Sequence, residues 1–250
     1  MSLGEHLVEF RNRLFISAAA IIVAAIAGFF VSDFVLEALR NPVMTIAEGR
    51  QATLNYSTIS GPFDVRVQIA LCVGVIASSP IWLYQIFAFI VPGLTGREKR
   101  YTFGFFFSAV PLFATGCAVG WFIFPNIVRV LTGFANPDDA SVIETKTYLD
   151  LVLRLVLAVG IGFVMPVFVV LLNFIGILSA RAIFTSWRVA VLVILVFCGI
   201  ATPPTDIVNM ILLAIPMVIL YFLAALIAWL NDRRRARRDK LLDDQLGELA

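Results

Sequence analysis

Four charged side chains fall within one short amino-terminal stretch, EHLVEFRNRLF at residues 5–15: Glu5, Glu9, Arg11 and Arg13. A second cluster, Arg97, Glu98, Lys99 and Arg100, follows the apolar run FAFIVPGLTG. A carboxylate in such a setting is a receptor for guanidinium, because arginine offers a planar fork of N–H donors to its two oxygens. The residues needed for hydrolytic or redox catalysis are scarce by comparison. His6 is the only histidine and lies at the amino-terminal flank, so no Ser-His or Cys-His pair forms within an apolar core. No GxxxxGK[ST] phosphate loop is present. The three cysteines, Cys72, Cys117 and Cys198, have neither disulfide-framework nor zinc-ligand spacing and read as core packing. These absences argue against an intramembrane protease, an ion-motive ATPase or a histidine-ligated haem protein, and against an enzyme generally. Binding or transport remains.

Each acidic segment also has a plainer reading. In the first, Glu5 and Glu9 lie four apart on one helical face and Leu7, Phe10 and Leu14 form an apolar stripe. Alone, this is an interfacial anchor, with local pairs such as Glu9 with Arg13 contributing only a few tenths of a kcal/mol. Glu98, which follows the helix stop at Pro92, Gly93 and Gly96, is alone an exposed carboxylate neutralised by its neighbours. Taken together, two acids at one membrane face form a natural receptor for a ligand with adjacent arginines, each charge-assisted contact contributing roughly 1.5–3 kcal/mol where water is partly excluded.

The elements that must position these residues are membrane helices. The chain has 250 residues, of which 60% are hydrophobic and 14% charged, with 22 Phe. Crossing ~30 Å of hydrocarbon takes ~20 mostly apolar residues, and six stretches qualify or come close: 14–32, 65–91, 102–124, 149–174, 188–201 and 207–230. Runs such as AIIVAAIAGFFV do not alternate in polarity, which excludes a β-barrel. The first run is read as a retained helix, since Glu5 and Glu9 flank it and its apolar core exceeds the usual ~7–15 residues of a signal peptide. The expected architecture is an all-α integral membrane protein, with residues 1–232 as one six-helix domain and 233–250 as a basic, then acidic, mobile tail contacting anionic headgroups.

Orientation follows from Lys and Arg. Thirteen of the 19 fall on one side: Arg11, Arg13, Arg97, Lys99, Arg100, Arg181, Arg188, Arg233, Arg234, Arg235, Arg237, Arg238 and Lys240. That side, with both termini, is expected to be cytoplasmic. Long outside loops are expected at 33–64 and 125–148. Pro80, Pro111, Pro166 and Pro216 are expected to kink their spans, and Pro203 and Pro204 to stop the fifth helix, leaving the last two helices short. No internal repeat is found, which disfavours inverted-repeat transporter folds.

Three segments carry a family resemblance: HLVEFRNRL at 6–14, SPIWLYQIFAFIVPGLTGREKR at 79–100 and ATPPTDIVNMILLAIPM at 201–217. The first is similar to an HLxELRxRL motif, and the three occur in order along nearly the whole chain. On these residues the sequence resembles TatC, the polytopic membrane subunit of the twin-arginine protein translocase. The resemblance implies a curved, cup-like six-helix bundle in the bacterial cytoplasmic membrane that recognises twin-arginine signal peptides of folded cargo. By motif position, Glu98 and Glu9 would contact the arginine pair, with Phe89, Leu94, Arg11 and Arg13 in or beside the recognition surface. Pro42 and Asp206 match other functionally important positions. It further implies transport driven by the proton motive force, single-span TatA and TatB partners, and no nucleotide or bound cofactor.

Three positions depart from the family pattern. Val164 stands where an acidic or polar residue often precedes the proline of the fourth helix, Trp121 where an aromatic alcohol is common, and Met210 where a glutamine is common. The alternative from another class is a small-solute secondary transporter, which calls for ionisable groups near the bilayer midplane. At such depth the spans offer chiefly Gln85, Asn173 and small hydroxyls, while Arg66 and Arg154 lie near the outside ends.

Overall fold

The computed structural model describes residues 3–47, 53–90, 96–133, 142–201 and 207–248. In chain order they form α1 (Leu3–Ala47), β1 (Thr53–Asn55), α2 (Gly61–Ala77), α3 (Ser79–Ile90), α4 (Gly96–Gly133), β2 (Val142–Glu144), α5 (Thr145–Ile175), α6 (Ala180–Thr185), α7 (Trp187–Ala201) and α8 (Ile207–Glu248). Four helices, α1, α4, α5 and α8, are long and apolar enough to cross a membrane, and α2 with α3 makes a fifth, broken span. The sixth apolar segment is α7, whose 15 residues cover only about 22 Å at ~1.5 Å per residue.

The break in the α2–α3 span follows from Pro80. Its ring would clash with the carbonyl four residues back and it brings no N–H, so α2 ends at Ala77 and α3 resumes at Ser79 with a 55° bend. The Trp82 indole N–H donates to the Val75 carbonyl at 2.9 Å across this bend, and its ring stands edge-on against Phe113 at 5.2 Å. Pro111, Pro166 and Pro216 instead lie inside helices that continue past them.

Two expected loops are largely helical. Asp33, Glu37 and Arg40 suggest a loop after residue 32, but all three are exposed, whereas Ser32, Leu36 and Leu39 are buried. That spacing is one face of a continuing helix, and α1 runs on to Ala47. Likewise α4 passes Pro125 and ends at Gly133. What remains of the two connections is joined by a small parallel ladder, with Thr53 paired to Val142 and Asn55 to Glu144. The expectation of two short final helices holds for α7 only, since α8 has 42 residues. The charged end is helical as far as Glu248. Residues 233–248 continue α8, as expected of a segment with five Arg and three Leu, both good helix formers, and no proline.

Helix α5 is the centre of the bundle: 67% of its most apolar window is buried, against 11% for α1. It packs antiparallel to α4 through small residues, a device that lets membrane helices approach closely. A Cβ on Gly116 would lie 2.8 Å from the Val159 carbonyl, and one on Gly160 2.5 Å from Cys117 Sγ. The α1–α2 crossing works the same way, with Gly74 against the Ala25 backbone and Gly28 against the Ala70 carbonyl. All three cysteines are buried, as core residues.

Candidate functional site

The bundle's two ends differ in chemistry. At one end Tyr148 donates to the Leu39 carbonyl at 2.8 Å, and ion pairs join Arg66 to Asp33 at 2.7 Å, Lys146 to Asp64 at 3.1 Å and Arg154 to Asp150 at 2.6 Å. Asp33, Asp64 and Asp150 thus each have a cation of this chain beside them, and Asp150 also accepts from Gln68 at 2.7 Å. Glu144 accepts from the Ser57 and Thr147 hydroxyls at 2.6 and 2.7 Å. These hydroxyls, Ser57 first, hold its carboxyl below the usual range, and Lys146 adds a smaller electrostatic pull.

The opposite end carries an open cleft of about 830 Å³ lined by Gly4, Glu5, Val8, Glu9, Asn12, Arg13, Ile16 and Gln85. Helical periodicity sets which charges reach it. Residues four apart share a face and residues two apart do not, so Glu9 and Arg13 both line the cleft while Arg11 does not. Arg11 is exposed, and its guanidinium is 3.5 Å from Asn12 Oδ1. Glu9 and Arg13 are partly withdrawn from water, with side chains 20% and 24% exposed.

The contact between them is lopsided. Arg13 donates through Nε at 3.0 Å and Nη2 at 2.6 Å, and both donors go to the same Glu9 oxygen, Oε1. Its third arm, Nη1, donates to Gln85 Oε1 on α3 at 3.1 Å. The second carboxylate oxygen, Glu9 Oε2, is buried and has no hydrogen-bond partner among the described residues. An acceptor withdrawn from water and left unmet raises the free energy of the state that holds it. A donor that reached Oε2 would relieve it, and a guanidinium is the donor that best matches a carboxylate edge.

Phe89 closes the same end. His6 stacks on its ring at 4.4 Å and Phe10 meets it edge-on at 5.5 Å, so aromatic contacts on one side and the Arg13–Gln85 bond on the other fasten the start of α1 to α3. Of the other site residues expected from sequence, Glu98 lies in the first turn of α4 and Pro42 within α1. The side chains of both, and all of Leu94 and Asp206, lie outside the described residues. Val164 is buried, Trp121 packs edge-on against Phe124 at 5.5 Å, and Met210 packs against the core. All three departures from the family pattern thus serve apolar packing.

Sequence reading missed two polar partners. Gln85 was visible only as a polar residue within a span, yet it is the cross-helix acceptor for Arg13. Asp232, which reads as the start of a charged tail, accepts from the Ala180 amide at 2.7 Å and from Asn173 Nδ2 at 2.9 Å. The available signal was position: Asp232 is the first acid at the boundary where α8 turns from apolar to basic.

Known proteins agree with this architecture. Residues 5–216 match the family model of the Sec-independent protein translocase protein TatC. The chain is 39% identical over 240 residues to the Sec-independent protein translocase protein TatC of Xylanimonas cellulosilytica, covering 95% of this chain and 87% of that one. It is 32% identical over 230 residues to TatCy of Bacillus subtilis, covering 91% and 89%. Among solved structures, the twin arginine translocase receptor TatC crystallised in DDM superposes with a TM-score of 0.80 at 28% identity, over 89% of this chain and 99% of that one. With its multi-pass helical bundle and a family match over most of its length, the chain belongs to TatC, the membrane subunit of the Sec-independent twin-arginine protein translocase and not a family of catalytic enzymes.

Proposed function

We propose that this chain is the receptor subunit that binds twin-arginine signal peptides for export of folded proteins across a bacterial cytoplasmic membrane. The observation that carries the reading is Glu9, a partly buried carboxylate with one unmet oxygen in a cleft at the end of the bundle. Glu9 and Glu98 receive the arginine pair; Phe89, Leu94, Arg11 and Arg13 flank it. Arg11, off the Glu9–Arg13 face, serves at the margin of this surface. Both termini lie in the cytoplasm, in keeping with the thirteen Lys and Arg on that side. The proton motive force drives transport, and single-span TatA and TatB subunits complete the complex, with Pro42 and Asp206 acting away from the arginine site.

A small-solute transporter finds less support. Gln85 and Asn173, the polar side chains available to such a site, are engaged with Arg13 and with Asp232. The test is rescue of folded-protein export in a bacterium lacking its own subunit, using cargo with an arginine-pair signal and with a lysine-pair signal. Rescue of the first cargo only is expected, and loss of that rescue in Glu9→Ala. Equal export of both cargoes, or full rescue by Glu9→Ala, contradicts the reading.

A further inference from the structure

We infer that Arg13 determines the specificity of this site by occupying Glu9 when no ligand is bound, as an internal guanidinium that an arriving arginine must displace. The inference rests on Glu9 being the arginine receptor proposed above. Arg13 presents to Glu9 the same group a ligand arginine would present, with two N–H donors on Oε1. Gln85 Oε1 holds its third arm and keeps the fork against α1. Glu9 Oε2, the oxygen left over, is buried and out of reach of water. A ligand therefore gains full access to the carboxylate only when the Arg13 contact opens.

The competition has a consequence for recognition. Exchanging one guanidinium for another breaks and makes contacts of the same kind, while the ligand also loses conformational freedom on docking. A single arginine thus gains little against Arg13. A pair gains a second charge-assisted contact that the internal competitor cannot match. The demand for two adjacent arginines arises from the resident third one.

The test uses the full chain in lipid nanodiscs and fluorescent synthetic peptides that carry Arg-Arg, Lys-Arg or Lys-Lys before the same apolar segment. In Arg13→Gln the Arg-Arg peptide binds more tightly by about tenfold, the scale of one charge-assisted contact in partly screened surroundings. The Lys-Arg peptide gains more, so the ratio between the two shrinks. Arg13→Lys keeps the charge but loses the fork, and it shifts the ratio the same way. Gln85→Leu, which frees one arm of Arg13, gives a smaller shift in the same direction. Weaker binding of all peptides by Arg13→Gln overturns the inference and makes Arg13 a support for Glu9. An equal gain for Lys-Lys, or a gain in Arg13→Gln that Arg13→Lys lacks, also overturns it, because relief of charge repulsion then explains the effect. Glu9→Gln separates the two claims: it weakens Arg-Arg binding if the receptor reading holds, and unchanged binding removes that reading and this inference with it.

Discussion

Asn173 and Asp232, 59 residues apart in sequence, meet side chain to side chain at 2.9 Å. Asn173 Nδ2 also donates to the Leu178 carbonyl at 2.9 Å, and Asn231 Nδ2 donates to Asn173 Oδ1 at 3.1 Å. The other Asp232 oxygen takes the Ala180 amide at 2.7 Å. One aspartate thereby joins the end of α5, the start of α6 and the body of α8. Gly176, at φ 87°, lets the chain leave α5 in the left-handed conformation that glycine tolerates best. The contrast with Glu9 is instructive. Both oxygens of Asp232 have donors from the chain, as expected of an acid whose role is to hold the fold, whereas Glu9 keeps one oxygen unmet.

Asp232→Ala should therefore lower stability without altering the ligand chemistry. It leaves the Ala180 amide without its acceptor and removes one Asn173 bond, a loss of about 1–3 kcal/mol for groups partly withdrawn from water. Thermal unfolding in detergent should show a lower Tm, while the folded variant keeps the parent affinity for an arginine-pair peptide. An unchanged Tm would remove Asp232 as the fastening point.

The α4–α5 crossing gives a second expectation. Gly116→Ala drives a methyl to 2.8 Å from the Val159 carbonyl, a backbone atom that cannot turn aside, whereas Gly104→Ala meets nothing within 4 Å. Gly116→Ala should cost about 1–3 kcal/mol as overpacking, and Gly104→Ala should be close to neutral. Equal unfolding temperatures for the two variants would show that α4 and α5 do not approach this closely.

Glu144 predicts a pH dependence at the other end. Its folded-state pKa lies below its unfolded value, chiefly through the Ser57 and Thr147 hydroxyls. A depressed carboxyl contributes stability that is fully present above the unfolded pKa and is lost as pH falls through the folded one. Hydrogen exchange at 53–57 and 142–147, corrected for intrinsic rate, should accelerate only on acidification below the ordinary carboxylate range. Glu144→Gln should flatten that profile, and a profile unchanged by the substitution would assign the dependence elsewhere.

The apolar runs made the spans legible, and the break at Pro80 followed from one missing N–H. Helix ends were harder, because Asp33, Glu37 and Arg40 resemble a loop until their spacing is set against Ser32, Leu36 and Leu39. Glu9 could be chosen by residue type and neighbourhood, and its separation from Arg11 follows from helical angle alone. Its link to Gln85 could not be seen, since it depends on how α1 crosses α3. The Asn173–Asp232 bond was hidden for a similar reason: α5 and α8 run parallel with α6 and α7 between them in sequence, so no local pattern pairs the two residues.

The central claim, that Glu9 receives an arginine of the ligand, is tested most directly by a double-mutant cycle across the complex. Affinities are measured for the parent chain and Glu9→Gln, each with an arginine-pair peptide and with peptides in which either arginine is replaced by glutamine. A coupling of about 1.5–3 kcal/mol between Glu9 and one of the two arginines is predicted, the size of a charge-assisted bond in a partly dry site. Coupling indistinguishable from zero at both arginines would contradict it.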